Sequence, residues 1–370
     1  MTILKRHLAA LAFGAILAAA GQANAAEPVK LGVINPIKTL VGKQNLEGAQ
    51  LAAEMINQDG GILGGRKIEL VTYDTNFSPP EGVAALQRLL TQDRVKVVAG
   101  EISSSVALAA IPVIEGEDAI FMAAVPKHPD VTKSGYDKIF RMNTTTAQDA
   151  QSFDTFLLET VKPAKVAILA ENSDFGQVTI NQMKKLFGDK LVYSDTFGMQ
   201  QNDFAAMSTN ARSSGADTIC IVGSNMEQYG NILRSLSDLG FNGNRCLMPG
   251  VLNSQGVQIA GAAAEKAFSA DIYVPSIDNA FNKRFVAAFE KKFGRKPEKI
   301  EVLGFESIWI AAKAMDKAGT ADDTTKIAKV IHEGKWETPR GEVTFDKNGQ
   351  ASSGELIRLV VKSGEIVVNR

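Results

Sequence analysis

Val97-Val-Ala-Gly-Glu-Ile-Ser-Ser-Ser-Val-Ala-Leu-Ala-Ala-Ile-Pro112 carries, in sixteen residues, the pattern that the rest of the chain repeats. A β-branched run enters a glycine, and three consecutive hydroxyls, Ser103, Ser104 and Ser105, precede an alanine-rich stretch with helical spacing. The serines therefore fall where a strand hands over to a helix. Such a corner suits an anion, because the first N–H groups of a helix lack intrahelical partners, the helix dipole puts its positive end there, and hydroxyls add donors. Helix capping alone also explains serines at this place, so the choice between the two rests on the remaining sequence.

Working outward, the same hand-over recurs. Val29 to Asn35 is a short apolar strand stopped by Pro36, and Asn45 to Gln58 carries Leu46, Ala49, Ala52, Ala53 and Ile56 at helical spacing. Lys67–Tyr73, Val95–Ala99 and Ile120–Ala124 read as further strands, with a helix over Pro79–Gln92 between the first two. Gly60 to Gly65 follows a helix and lacks the Gly-Lys-Ser/Thr ending of a phosphate loop, so it is a turn. After the polar stretch Phe140 to Thr146 a second series opens: strands at Val166–Ala170, Leu191–Thr196, Thr218–Val222 and Cys246–Met248, with helices at Gly176–Phe187, from Phe204, and at Met226–Leu239. Strands and helices alternating through short connections make right-handed crossovers and mainly parallel sheets, so the fold class is α/β with two halves of similar size. Helical patterns at Asn279–Phe293, Val302–Ala318 and Thr324–His332 follow Asp271–Pro275, and Gly341–Asp346 with Glu355–Val368 read as strands around a Lys-Asn-Gly turn. Phe281, Phe285, Phe289 and Phe293 recur every four residues, a core stripe.

Lys5, Arg6 and His7, the apolar run Leu8–Ala20 and Ala23-Asn24-Ala25 read as a secretory signal peptide over residues 1–25, so an exported, soluble product is expected. No cysteine follows the apolar run to carry a lipid. A formal net charge of −1, without basic runs or interleaved aromatics, argues against nucleic acid or an anionic membrane surface as partner. Cys220 and Cys246 are the only cysteines; a disulfide and two buried free thiols both remain open. Two cysteines and three histidines at these distances make no metal site, and the sequence has neither a Gly-x-Ser-x-Gly elbow nor a His-Glu-x-x-His pair. No enzyme, cofactor or metal is expected. His128 reads as a surface-loop residue and His332 as compensation of a helix C-terminus.

Leu31-Gly32-Val33, Glu47-Gly48-Ala49, Asn57 through Ile68, the serine turn, Asp174-Phe175-Gly176, and Val343-Thr344-Phe345-Asp346 with Gly349 occur in that order behind the signal peptide. In this the whole mature chain resembles the periplasmic solute-binding proteins of ATP-driven importers, in the branch that includes the leucine/isoleucine/valine-binding proteins. The resemblance implies a type I periplasmic binding protein: two Rossmann-like lobes with parallel sheets, joined by a three-segment hinge and closing on a ligand. Residues 26–143 with 277–344 would form the N-terminal lobe, and 144–276 with 345–370 the C-terminal lobe. It also implies a periplasmic monomer whose partners are a small-molecule carboxylate and the permease of an ABC importer, or a membrane receptor if the chain is a sensor subunit.

The resemblance places the site as well. Ser103, with Ser104 and Ser105, would hold the ligand carboxylate, and Val125-Pro126-Lys127 stands where the family offers Ala-Ala-Thr. Phe175 would pack on the ligand. The family's further tyrosine falls near Asn225, its ammonium-pairing acid near Val251 and its first-loop aromatic near Val41. An α-ammonium taken into a closed cleft needs a carboxylate or several carbonyls, since leaving it unpaired is costly. Val251 offers none, and Lys127 would repel an ammonium and favour a second anionic or acceptor group. The expected ligand is a carboxylate without an α-ammonium, an aromatic acid foremost. Were Glu101, Glu171 or Asp174 to supply the acid from a neighbouring position, a branched-chain or other hydrophobic amino acid would fit instead.

Overall fold

A computed structural model describes residues 27–352 and 354–369; the expected signal peptide lies outside the described residues. In chain order the elements begin with β1 (Val29–Asn35), α1 (Leu40–Gln58), β2 (Ile68–Asp74), α2 (Pro79–Thr91), β3 (Val97–Gly100), α3 (Ser104–Gly116), β4 (Ile120–Ala123) and β5 (Ile139–Arg141). There follow α4 (Thr146–Phe156), β6 (Val166–Glu171), α5 (Asp174–Phe187), β7 (Leu191–Phe197), α6 (Ala205–Ser213), β8 (Thr218–Val222) and α7 (Met226–Asp238). The remainder comprises β9 (Asn244–Leu247), α8 (Ser254–Ala260), β10 (Phe268–Asp271), α9 (Ala280–Phe293), α10 (Lys299–Ala318), α11 (Thr324–Glu333), β11 (Trp336–Thr338), β12 (Gly341–Val343), β13 (Ile357–Lys362) and β14 (Glu365–Val368).

Two large sheets result. The first has the order β2-β1-β3-β4-β5 and is parallel throughout. The second has the order β14-β13-β10-β9-β8-β6-β7, parallel except where β13 meets β10 and β14. Apolar side chains bury both faces of the inner parallel strands β3, β4, β6 and β8, as their near-continuous hydrophobic runs require, while the edge strands β2 and β7 are only half-buried. The chain leaves the first sheet after β5, returns through α9–α11, whose central helix α10 packs on α1, β3 and β4, and leaves again for β13 and β14. The outgoing and final passages run side by side: Arg141 donates its N–H to Gly349 O at 2.8 Å, Ala351 returns one to Arg141 O at 2.9 Å, and the buried Arg141 side chain donates to Gln350 Oε1 at 2.7 Å.

Several elements differ from the sequence expectation for identifiable reasons. Helix α1 starts five residues before Asn45, because Thr39 Oγ1 accepts from Gly42 N and caps it there; Val41 therefore sits in the first helical turn rather than in a loop. Helix α4 has no counterpart in the expectation. It is started by a capping box between Thr145 and Gln148, and its buried face includes Thr146 and Asp149, which blurs the apolar period. The Lys-Asn-Gly turn does not join two of these strands: β12 pairs with β11, an isolated bridge between Phe345 and Ala351 spans the turn, and the β13–β14 hairpin turns at Ser363-Gly364. Cys220 and Cys246 are register partners on β8 and β9, buried as free thiols. His332 stands in the last turn of α11, as expected, and also lies against the Phe140 ring at 4.7 Å with Nε2 2.8 Å from Asp137 O, so it ties a loop as well. Of the phenylalanine stripe, Phe285 and Phe289 are fully buried, and Phe285 meets Phe305 edge-on at 4.8 Å.

The approach of α1 to α10 sets how the first lobe is covered. A Cβ on Gly48 would lie 1.9 Å from Glu301 O, and one on Gly304 would lie 2.0 Å from Asn45 O, so two backbones touch through paired glycines. Asn45 Nδ2 adds a bond to Ile300 O at 3.0 Å. Gly304→Ala is expected to destabilise the protein by about 1–3 kcal/mol in urea denaturation through overpacking. Gly116→Ala, in the last turn of α3 with nothing within 4 Å of the new Cβ, is expected to be neutral or to stabilise by up to about 1 kcal/mol. The opposite signs check the close approach against simple helix propensity.

Candidate functional site

A cavity of about 820 Å³ lies beyond the carboxyl ends of the parallel strands, walled by residues of both lobes, where ligands of open α/β sheets sit. Of the positions assigned from sequence, Val41, Ser104, Val125, Lys127, Phe175 and Val251 line it. Ser103, Ser105, Pro126 and Asn225 are not among the lining residues. Asn225 is the N-cap of α7, its side chain accepting from Glu227 N at 3.0 Å.

The three serines divide three tasks. Ser103 Oγ caps α3 by accepting from Val106 N at 3.3 Å. Ser104 Oγ accepts from the N–H groups of Lys127 and His128, at 3.1 and 3.2 Å, and so fixes the loop after β4 to the helix start. Ser105 Oγ reaches the other lobe and accepts from Asp174 N at 3.2 Å. The turn also holds a carboxylate of its own. Glu101 has φ +68°, an uncommon left-handed conformation for a non-glycine residue, and its buried Oε1 accepts from Ile102 N at 2.8 Å and Ser103 N at 2.7 Å. The expectation that the whole corner awaits a ligand is thus corrected, because Glu101 takes two of the N–H groups. The N–H groups of Ser104 and Ser105, which have no acceptor among the described residues, and the Ser104 hydroxyl proton remain. Burial pushes the Glu101 carboxyl up to about 7, against the lowering effect of the Ser103 and Ile102 N–H groups.

Two ammonium groups, that of Lys127 beside the serine corner and that of Lys299, cross to one turn of the other lobe. Lys127 is buried, pairs with Asp149 on α4, and donates to Pro249 O at 3.1 Å. Lys299, the first residue of α10, is also buried; it donates to Gly250 O at 2.7 Å and lies 3.7 Å from Asp271 Oδ2. Burial lowers the affinity of Lys299 for its proton and raises that of Asp271, and each charge opposes the shift of the other. The turn itself is held by Gly250 N donating to Ala270 O at 2.8 Å. Gly250 has φ +82°, which favours glycine, and a Cβ there would lie 2.2 Å from Lys299 Nζ and 3.3 Å from Lys127 Nζ, so a side chain would displace the Lys299 ammonium. Lys127 therefore faces the cavity with its charge already met, and the expectation that it recruits a second anionic group from a ligand is corrected by Asp149.

The candidate substitute acids, Glu101, Glu171 and Asp174, are not lining residues. Glu171 is buried beneath Ser224, whose N–H and hydroxyl both donate to it. Three carboxylates do reach the wall: Asp271, engaged as above; Glu298, which accepts from Ser254 Oγ and Asn253 Nδ2, each at 2.6 Å; and the exposed Glu365 of β14. Sequence reasoning missed Gly250, Asn253, Asp271, Glu298 and Lys299. Lys299 lies just before the stretch assigned as helical from Val302, where a lysine ordinarily faces water. The one local signal was the Pro-Gly pair at 249–250, which marks a turn without saying what enters it.

A family profile described as "Periplasmic binding protein" matches residues 28–364. A Pseudomonas aeruginosa protein named for binding leucine, isoleucine, valine, threonine and alanine is 28% identical over 358 residues, covering 94% of this chain and 92% of its own. A leucine-binding protein from Thermotoga maritima superposes with a TM-score of 0.83 at 24% identity, covering 92% of this chain and 98% of its own. A solute-binding protein of an ABC transporter from Rhodopseudomonas palustris BisB5, in complex with 3,4-dihydroxybenzoic acid, superposes at 0.82 with 24% identity, covering 92% and 95%.

Because the Glu101 carboxyl titrates near 7 when folded and near 4.3 when unfolded, the folded chain binds its proton more tightly. Its contribution to stability is full below the unfolded value and is lost as pH rises through about 7. Glu101→Gln keeps the acceptor oxygen and removes the titration. The variant is expected to gain stability relative to the parent between pH 5 and pH 8, by up to about 3 kcal/mol, in paired urea denaturations at the two pH values; a difference independent of pH contradicts this.

Proposed function

The chain belongs to the periplasmic binding protein family, and from that premise we propose that it is the extracytoplasmic solute-binding subunit of an ABC importer. It closes on a small carboxylate without an α-ammonium, an aromatic acid first among them, and presents the closed form to a membrane permease. The family consists of solute-binding proteins rather than enzymes, and among the described residues no helix is long and apolar enough to cross a membrane.

The observation that carries this reading is an imbalance on the cavity wall. Donors without acceptors stand at the start of α3, while two of the wall carboxylates, Asp271 and Glu298, already have partners within the chain and the third, Glu365, is exposed. A ligand carboxylate placed against the N–H groups of Ser104 and Ser105 and the Ser104 hydroxyl satisfies donors at the positive end of a helix. A ligand ammonium finds Asp271 and Glu298 already engaged and, of the lining acids, the exposed Glu365 of β14 left to it, where water competes for the charge, and Val251 is apolar. Val41, Val125, Phe175 and Val251 supply apolar surface for a ring. A bound ligand spanning both walls favours closure to the extent that it binds the closed form better than the open one. The names of the relatives support both ligand classes, and that of the Pseudomonas aeruginosa protein favours a second reading, a hydrophobic amino acid.

Ligand-stripped, refolded protein is the material that separates the two. Benzoate or 4-hydroxybenzoate at about 100 times its dissociation constant is expected to add roughly 2.7 kcal/mol of stability, seen as a raised melting temperature. Leucine and valine are expected to leave the melt unchanged, and a shift with either one overturns the amine-free reading. In calorimetric titrations, Ser104→Ala is expected to weaken benzoate binding at least about tenfold, as loss of a charge-assisted hydrogen bond does. Ser103→Ala is expected to cost about 1 kcal/mol of stability as a lost cap, with little change in affinity.

A further inference from the structure

Lys299 is placed where two costs coincide. It is buried at the interface of the lobes, which disfavours its charge, and it is the first residue of α10, where the helix dipole repels a cation. A lysine held there is held by its partners. Those partners, Gly250 O and Asp271, belong to the other lobe, and both line the cavity. Asp271 Oδ1 is used by Ile272 N at 2.7 Å, leaving Oδ2 toward Lys299. One carbonyl oxygen on the 249–250 turn and one carboxylate oxygen at the end of β10, to which that turn is bonded, make a seat chemically fitted to an ammonium.

We propose that Lys299 is a specificity-determining residue whose ammonium is the built-in occupant of the Gly250–Asp271 seat, so that a ligand bearing its own ammonium meets a filled place and a like charge. The inference rests on the amine-free reading above and names the residue that enforces it. Lys127 completes the exclusion by taking the preceding carbonyl, Pro249 O, but its acid, Asp149, is not a wall residue. Emptying the Lys299 seat is therefore the change that exposes an acceptor pair to the ligand. A lysine acting only as a latch between lobes predicts something different: its removal weakens every ligand alike.

The test is calorimetric titration of benzoate and L-leucine into the ligand-stripped mature chain, Lys299→Met, and Lys299→Met with Asp271→Asn. The expected result is that Lys299→Met shifts the leucine-to-benzoate affinity ratio at least tenfold toward leucine, and that adding Asp271→Asn abolishes the gain. A ratio unchanged within threefold overturns the inference while leaving the amine-free reading intact, and so does a gain that survives Asp271→Asn. Parent protein that binds leucine as tightly as benzoate overturns both. Parent protein that binds neither, alongside a Lys299→Met variant that binds leucine, sustains the seat and overturns the aromatic-acid reading. Should Lys299→Met fail to fold, Lys299→Ala is melted with ethylammonium or with ethanol at equal concentration; ethylammonium alone raising the melting temperature supports the seat, and no difference between the two overturns it.

Discussion

An ammonium group cannot be carried into the interface between two lobes unless the opposing surface supplies acceptors, and the geometry of this cleft follows from meeting that demand twice. Lys127 and Lys299 reach two successive carbonyls, Pro249 O and Gly250 O, and each has an aspartate beside it. The cluster is neutral as a whole, which makes its burial tolerable. It also constrains what surrounds it. Gly250, at positive φ, leaves room for the Lys299 ammonium, its N–H anchors the turn to Ala270, and a polar helix, α4, buries Asp149 where an apolar residue would pack more cheaply.

The serine corner, to which the backbone of Lys127 is bonded, meets the complementary demand. A strand that ends in a glycine and opens a helix leaves N–H groups pointing at the cleft, and Glu101 takes two of them from behind. What remains for a ligand is narrow: two N–H groups and one hydroxyl, on a serine whose oxygen is already held by the loop after β4. The serine run is thus both of the things it could have been. Ser103 is a cap, Ser104 is the wall, and Ser105 is a tie to the second lobe at Asp174. Three adjacent identical residues separate into three roles because successive positions at a helix start point in directions about 100° apart.

Much of the architecture was legible because it is written in local periodicity. Strands such as Val29–Asn35 and Thr218–Val222 are apolar runs bounded by turn residues, and α7 and α9 carry helical spacing, so their places follow from a window of some ten residues. Elements whose buried face is partly polar, α4 above all, were not legible, since the pattern that marks a helix is the pattern of what it buries. Helix α1 was found but its start was not, because a single side-chain cap at Thr39 decided it.

The site divides along the same line. The serine corner, Lys127 and Phe175 stand out in sequence because each sits at a strand end or a helix start that periodicity already locates, and the alternation of strands and helices by itself determined the α/β class and the side of the sheets on which a cleft forms. Which charges are free in that cleft was decided only by tertiary structure. Asp149, Gly250, Asp271 and Lys299 are scattered over 150 residues, and whether a lysine offers its charge to a ligand or spends it on its own chain depends on acceptors that only the folded lobes bring within 4 Å. Local sequence sets the direction of the backbone; the partner of a buried charge is a long-range property, fixed by which surfaces close on each other.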